Sequence, residues 1–498
     1  MTPRPTPPES LPLEQLLARH ARALDRRRPF EAFWQDCYAQ TLPEPGQAAQ
    51  IFDATAADAA EQLAASLLAE LCPPWSRWFG LATARPLDDS PAARATALAL
   101  EDAAEMLQLH LDRSNFALEM HQAFLDLVIT GTGILLVEEA APGEASALRF
   151  AAVPLRETVL EEGISGRLDT IWRARRLTAA SIAARYPDAE LPPALRHADG
   201  AEEPVLHRVL EAVHPEGHAT RFTALLAGDD GRVWPLAEGR FAENPFIAFR
   251  WLKAPGETYG RGPVGKALPD IRTANLVVEL VLKNASIAAT GIWQAEDDGV
   301  LNPATIRLVP GAIIPKAPGS SGLTPLAAPG RFDVSQLVLN DLRARIRTAL
   351  LADRLSPQTQ GRMTATEVMD RSAETARRLG ATYGRLQSEL LTPLVTRCLA
   401  ILRRRGEIAP QTQDGQELRL RYASPLAQVQ GRADAANTLL FLQAVSQLGP
   451  EAVAQVDAAA AARWLARSLN APAEILRPLE APKPRQDPQT PNNGVSPA

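Results

Sequence analysis

Gly260-Arg-Gly-Pro-Val-Gly265-Lys266-Ala267 is the part of this chain that comes nearest to nucleotide chemistry. It holds both a G-x-G-x-x-G and a near Walker A pattern behind a predicted strand at Phe246–Trp251. The chemistry fails where it is needed. Ala267 stands at the position of the Mg²⁺-binding Ser or Thr, Pro263 removes an amide that would cradle phosphate, and Pro269 limits the helix start. No convincing parallel βαβ unit surrounds the glycines, and Glu279 lies within the next helix. The segment is expected to be a structural turn, so Lys266→Ala would silence a nucleotide-binding enzyme and leave a turn intact.

The other candidates are weaker. His110 and His121 are eleven residues apart and would share a face only on an unbroken helix, while Asn115 and the absence of a nearby Cys or carboxylate pattern argue against a metal site. His207, His214 and His218 fall among predicted strands and turns. There is no Gly-x-Ser-x-Gly elbow and no His-Glu-x-x-His. Glu161-Glu162 and Asp297-Asp298 are adjacent acids in Gly-bordered loops, a pattern of solvated turns. Cys37, Cys72 and Cys398 are odd in number and widely spaced, as free thiols of a reducing compartment would be. Trp75, Trp78 and Phe79 after a Pro pair fit a core or subunit-interface plug better than a base-stacking platform. No enzyme, no cofactor and no metal is expected.

Charge is more informative. The chain of 498 residues carries a net −6, yet Asp341–Arg405 holds 13 Arg against 6 Asp plus Glu, a local +7. Arg outnumbers Lys 47 to 5 and Ala is abundant, which reflects GC-rich coding bias, so the segregation matters and the total does not. Within that segment Leu379, Tyr383, Leu386, Leu390, Leu394, Cys398 and Ile401 follow at steps of three or four, the spacing of one helix face. A long helix over Thr364–Arg405, apolar on one side and Arg-studded on the other, suits a protein that packs against copies of itself while facing a polyanion. Leu379, Leu386, Leu390 and Leu394 are the candidate subunit-interface residues.

These residues need a scaffold. Helices are predicted over Leu13–Asp25, Phe30–Tyr38, Ala56–Leu71 (capped by Asp53 or Thr55, stopped by Pro73-Pro74), Ala92–Leu111 and Phe116–Ile129, the last ending at Gly131-Thr-Gly133. Strands follow at Ile134–Glu138, Leu148–Val153, Thr170–Arg176, Val205–Val213, Arg221–Ala227 and Phe246–Trp251. Helices at Pro269–Thr290 and Gln336–Asp353 bracket a Pro- and Gly-rich excursion with short strands at Ile306–Val309 and Ala312–Pro315. Polar Ser356–Met363 breaks the pattern before the long helix, where Glu367 is placed for a capping box. Leu418–Tyr422 is a predicted strand, Arg432–Leu448 and Ala452–Leu469 are predicted helices, and Pro482–Ala498 is a Pro-, Gln- and Asn-rich tail expected to be disordered. The class is α+β, predominantly helical. Pro3, Pro5, Pro7 and Pro8 are not a signal peptide, and the most apolar run, Leu276–Ala289, is broken by Glu279, Lys283 and Asn284, so neither secretion nor a membrane span is expected.

Several blocks carry a resemblance. Ile51-Phe-Asp-Ala-Thr55, Leu63-Ala-Ala-Ser66 and Pro73-Pro-Trp-Ser-Arg-Trp78-Phe79-Gly-Leu81 resemble the amino-terminal block of the head-to-tail connector, or portal, proteins of short-tailed bacteriophages. Tyr259-Gly-Arg-Gly-Pro263, Leu268-Pro-Asp270 and Asn275 are similar to the start of that family's first stem helix. Met363-Thr-Ala-Thr-Glu-Val368 and Glu389-Leu-Leu-Thr-Pro393 resemble its long-helix block, and Ser424-Pro-Leu-Ala427 the start of its crown. The similarity runs in the same order over residues 30–478.

The resemblance implies a ring, usually of twelve subunits, at a capsid vertex of the virion, assembled in the host bacterial cytoplasm. On this chain it implies a wing at 1–267, stem helices at 268–290 and 336–353, and a β-rich clip at 291–335. It further implies a channel or tunnel loop at 354–363, a long wing helix with its following strand at 364–423, a crown at 424–478 and a tail at 479–498. The implied partners are non-specific double-stranded DNA, the terminase large subunit, tail adaptors, and major capsid and scaffolding proteins. A conduit through which DNA slides needs phosphate-level electrostatics without base readout. Arg343, Arg345, Arg347, Arg354 and Arg362 are the candidates for rings of charge along the channel; intersubunit ion pairs with Asp341, Asp353, Glu367 or Asp370 are the competing role. A nucleotide-binding enzyme at Gly260–Lys266 and a capsid adaptor without a channel are the alternatives. On this reading Leu386→Asp abolishes assembly, and normal rings in end-on micrographs of that variant would remove the helical-interface idea.

Overall fold

The computed structural model describes residues 13–43, 51–74, 76–83, 91–192, 205–228, 232–290, 293–295, 323–325, 332–352, 382–408, 418–422 and 425–458, with positions 318, 380, 461, 462, 464 and 465. The chain divides into two compact units, residues 1–76 with 106–408 and residues 77–105 with 409–498. Residues 77–105 therefore group with the chain after 409 and not with the rest of 1–267. Among the described residues no helix is long and apolar enough to cross a membrane.

The first unit begins with α1 (Leu13–Thr41), a single helix where Pro29 suggests a break. Proline removes one helical hydrogen bond, and Asp25, whose carbonyl loses its donor, is exposed to water. Tertiary ties hold the helix through the proline. The Arg27 guanidinium donates to the carbonyls of Arg156 (2.9 Å) and Thr158 (2.5 Å), and Arg19 and Arg26 pair with Glu161 at 2.7 and 3.1 Å. Glu161 is thus a strand residue clamped by two arginines, not a solvated turn acid.

After α2 (Thr55–Leu71), α3 (Pro91–Arg113) and α4 (Phe116–Thr130) come two antiparallel sheets. The first orders β3 (Leu148–Ala152), β2 (Thr132–Glu139) and β9 (Phe246–Arg250), with Ile134 opposite Ala248 and Val137 opposite Phe150. The second is a five-stranded meander of β4 (Thr158–Glu162), β5 (Leu168–Thr178), β6 (Leu206–Glu216), β7 (Ala219–Ala227) and β8 (Val233–Phe241). Side chains alternate across a strand, and here both faces are used. Leu210 and Leu225 pack with Leu16 and Ala23 of α1 on one face, and Val209, Ala224 and Leu226 with Ile182 of α5 (Ala179–Arg185) on the other. β4 is short and ends in two acids, and β8 carries charges with a Pro and a Gly, which hid both from the sequence pattern.

Two long helices complete the unit. α6 (Pro263–Thr290) starts six residues before Pro269, because Pro263 fits the first helical position, where no amide donor is required. α7 (Phe332–Ala349) returns alongside it, and between them β10 (Trp293–Ala295) pairs antiparallel with β11 (Leu323–Pro325). The predicted strands at 306–309 and 312–315 lie outside the described residues. In the second unit Phe79–Thr83 forms β1 and pairs with β12 (Leu418–Tyr422) across more than three hundred residues of sequence. Trp78 is buried there, edge-on to Phe79 at 4.8 Å, as a core residue would be. α9 (Pro425–Gln447) follows, then the four-residue α10 (Pro450–Val453); Ala454 and Gln455 turn, so the helix expected over Ala452–Leu469 is not continuous.

The glycine motif has a structural role. Gly131 ends α4 at φ 93°, and its carbonyl accepts from Trp251 N at 2.9 Å. Gly260 and Gly262 press onto that turn: an added Cβ would lie 2.0 Å from Gly131 O and 2.6 Å from Val128 O respectively. The amides are consumed within the chain, Gly260 N donating to Thr132 Oγ1 (2.8 Å) and Arg261 N to Leu252 O (2.8 Å). Those two amides are not available to a phosphate. Gly260→Ala is expected to destabilise the chain by about 3 kcal/mol through overpacking. Gly239→Ala, an exposed position where an added Cβ meets nothing within 4 Å, should stay within about 0.5 kcal/mol. Paired denaturant melts check this.

Candidate nucleic-acid interface

Helices α6 and α7 pack antiparallel, since Asp270 near the start of one pairs with Arg345 near the end of the other at 2.9 Å. Leu339, Leu342, Ile346 and Leu350 are the buried side of α7, facing Ile271 and Ala274 in the same hairpin. Arg343, Arg345 and Arg347 sit at steps of two, which on a helix turns each by about 200° from the last. Arg343 and Arg347 therefore share one flank while Arg345 lies across from them, so the three cannot line one surface together.

Each has a different environment. Arg343 donates from Nε to Asp53 Oδ2 at 2.9 Å, and Asp53 Oδ1 accepts from Thr55 N at 2.9 Å. Burial alone would raise the Asp53 pKa, but the Thr55 hydrogen bonds and the Arg343 charge outweigh it and hold the carboxyl below its usual value. Asn275 completes the knot, its Oδ1 accepting from Phe52 N (2.6 Å) and Asp53 N (3.1 Å). Arg343 is thus an internal clamp between α2 and α7, and Arg345 an ion pair within the hairpin. Arg347 is exposed, with no ion pair or hydrogen bond among the described residues. Arg354 and Arg362 lie outside the described residues, as do Leu379 and the start of the expected long helix.

The described part of that helix is not uniform. Gln387–Leu391 forms a π-helical turn in which the amide of Thr392 reaches back to Gln387 O, and α8 (Thr392–Arg404) follows. Pro393 explains the wide turn, because it has no amide to offer the carbonyl of Glu389. Leu386, Leu390 and Leu394 are all buried by their own chain. They belong to the subunit core and present no surface to a second copy, contrary to the interface role expected from their spacing. Periodicity reports a buried face, not what buries it.

Of the arginines of this helix, Arg397 turns inward and Arg404 stays exposed. Arg397 is buried over the Phe241 ring at 5.0 Å, reaching the carbonyls of Val137 and Glu243, and burial lowers its pKa. Arg404 pairs with Glu139, and Arg405 with Glu407 at 2.9 Å. At Arg404 and Arg405 the positive charge is met by acids from β2 and the helix end. One pair stands out, Arg250 and Glu389. Arg250 is 0% exposed, and Glu389 Oε2 accepts from its Nε (3.2 Å) and its backbone amide (3.0 Å) while Oε1 accepts from Nη2 (2.7 Å). The remaining donors go to Thr258 O (3.1 Å) and Gly166 O (2.9 Å). Neither residue has a sequence signal of this role, since the partners are 139 positions apart.

The rejected candidates stay apart. His110 is buried with Nδ1 accepting from Ala147 N at 3.1 Å, while His121 is only partly buried. Among the described residues no group of three His, Cys, Asp or Glu side chains could hold a metal ion. All three cysteines are free and buried, and burial pushes the Cys37 and Cys398 thiols up to about 12.

Residues 13–476 match the family model of the bacteriophage head to tail connecting protein. The chain belongs to that family. A "Probable portal protein" of Bordetella phage BPP-1 is 25% identical over 93% of this chain and 88% of its own length. The "Portal protein" of Salmonella phage epsilon15 is 23% identical over 89% and 85%. That of Escherichia phage T7 is 27% identical over a shorter stretch, 30% of this chain and 28% of the relative. The connector is a phage virion component with the portal role of its family.

The connector's motif blocks acquire physical reasons. Ile51–Thr55 and Asn275 form the knot that Arg343 closes, Gly260 and Gly262 allow the close turn at Gly131, and Glu389 with Pro393 makes the π-turn and its arginine clamp. A cavity of about 600 Å³ opens between α1, α4 and residues 152–156. On its wall Tyr38 OH donates to Asp126 Oδ1 at 2.8 Å. Burial raises the Asp126 carboxyl to about 6, against hydrogen bonds from Tyr38 and the Leu155 amide and the charge of Arg156, which lower it.

A carboxyl raised in the fold binds its proton more tightly there than in the unfolded chain, so its ionisation penalises the fold. The penalty is absent below about pH 4 and complete above about pH 6. Asp126→Asn should therefore raise the melting temperature relative to the wild type at pH 7.5 and lose most of that advantage by pH 4.5, a difference read by calorimetry at the two values. Leu386→Asp, placing a charge in the core, should now abolish the cooperative melt itself and not assembly alone.

Proposed function

We propose that this connector closes into a ring whose bore passes double-stranded DNA into and out of a capsid, the α6–α7 hairpins lying side by side around it. One observation carries the reading. Leu276, Leu280 and Leu282 of α6 and Leu337 and Val338 of α7 are exposed in the single chain, Leu337 at 73%, although the same hairpin buries an ordered apolar seam on its other side. Leu276 and Leu280 share one flank of α6 and Leu282 lies across from them. Exposed apolar side chains on more than one flank suit a two-helix projection that meets a like projection on either side. A ring also multiplies each residue, so that a single unpaired Arg347 per subunit becomes a belt of positive charge able to centre a duplex without holding it.

Terminase large subunit, tail adaptors, and capsid and scaffolding proteins are the partners that this role entails, with twelve subunits the working stoichiometry. The nucleotide-enzyme reading is the less favoured one, since the amides of Gly260, Arg261 and Lys266 are bonded within the chain. A capsid adaptor without a channel differs from the proposal only in its bore.

Single-particle electron microscopy of the purified protein is expected to give rings with a bore wider than a B-form duplex, roughly 20 Å across. Monomers, or rings too narrow for DNA, overturn the reading. Leu337→Asp with Leu280→Asp should leave the melting temperature of the chain unchanged and prevent closure. Arg347→Gln should leave the rings intact and flatten the salt dependence of DNA binding, by about one unit of slope for each phosphate that the arginine no longer neutralises.

A further inference from the structure

The turn between β4 and β5 is built as a knob. Gly163 N donates to Arg167 O at 2.9 Å and Gly166 N to Gly163 O at 3.0 Å, with Gly166 at φ 76°, so Ile164 and Ser165 stand at the apex of a closed hairpin. Apex positions ordinarily take Gly, Asn, Asp, Pro or Ser. Here the first is an isoleucine at 111% exposure, well beyond any other large apolar side chain among the described residues. The apex is held rigidly from below, because the buried guanidinium of Arg250 donates to Gly166 O and Glu162 pairs with Lys253. A lone exposed apolar residue needs no explanation, but one presented on a clamped turn invites a receptor.

The same unit carries a fitting hole. The cavity between α1, α4 and residues 152–156 has apolar walls from Trp34, Ala39, Leu42, Leu125 and Leu155 and about 600 Å³ of space. Leu42 is exposed at its edge. Glu31, also lining it, already faces Arg27 Nε through Oε1 at 3.1 Å but is half-exposed, so its second oxygen remains for Arg167, which is exposed beside the knob and has no ion-pair partner among the described residues. Of the two cations that line the cavity, Arg27 spends its terminal nitrogens on the carbonyls of Arg156 and Thr158. Arg156 is exposed at the rim. A hairpin cannot fill its own cavity, since β4, about 13 Å long for its four steps, points the apex away from Leu155 while paired to β5.

We propose that the Ile164 turn of one subunit inserts into the cavity beneath Leu42 and Leu125 of a second copy of this chain. Knob and hole are different patches of one subunit, which is the head-to-tail kind of contact that generates a closed ring. The inference rests on the ring reading above and adds to it a contact far in sequence from the α6–α7 hairpin.

Cysteines at the two patches test it, since the native thiols are buried and silent. The double variant Ile164→Cys with Ala39→Cys, assembled and mildly oxidised, should give a ladder of disulfide-linked species rising past the dimer on non-reducing gels, and each single variant should give monomer. A dimer band alone would mean a two-fold contact and overturn the proposal. Ile164→Asp provides the second reading: its melting temperature should match the wild type, because the side chain touches nothing, while ring yield falls at least several-fold. Rings formed normally by Ile164→Asp, with no ladder from the double variant, remove the knob and leave the ring reading standing. A wild-type chain that forms no rings removes both.

Discussion

The Arg250–Glu389 pair is the interaction on which the rest of the first unit depends. A guanidinium fully removed from water is tolerable only when its donors are taken up, and here one carboxylate, two carbonyls and a nearby Glu162 at 3.6 Å share the task. Removing either partner would strand the other, at a cost of about 3–5 kcal/mol. The pair joins four pieces of chain that are remote in sequence: the end of β9, the loop at Thr258, the β4–β5 turn and the π-turn before α8. Its position also dictates the π-turn. Pro393 withholds an amide, the helix widens, and Glu389 is buried where Arg250 meets it.

A second set of constraints fixes the α6–α7 hairpin to this body. Asn275 satisfies two amides just before α2, Asp53 accepts from the amide of Thr55 at its start, and Arg343 reaches from α7 to the same carboxylate. The hairpin is therefore held at its base and uncovered further out, which is the physical form of a projection that meets other molecules. That the base is ionic and the outer part apolar divides the labour, fold below and association above.

Electrostatics in this connector are mostly internal. Among the described residues of the Arg-rich stretch, Arg343, Arg345, Arg404 and Arg405 are each met by an acid, Asp53, Asp270, Glu139 and Glu407 respectively. A sliding conduit gains from that economy, because a channel studded with unpaired arginines would grip the duplex that it must pass. Arg347 is the cation of α7 without a partner among the described residues.

The sequence by itself determined what local pattern and ordered motif blocks can carry. The helices over α2, α3 and α4, the strands β2, β3, β5, β6, β7 and β9, and the buried stripe through Leu386, Leu390 and Leu394 were legible, since period and capping are written in neighbouring residues. So was the family, from blocks in a fixed order, and so was the turn role of Gly260 and Gly262. Tertiary structure alone decided the partners. That the leucine stripe meets its own chain, that Arg343 serves Asp53, that α1 survives Pro29, and that Phe79–Thr83 pairs with Leu418–Tyr422 all depend on contacts between residues far apart. Spacing along a chain encodes which side of an element is buried; the identity of what buries it is set by packing, where distance in sequence has no weight.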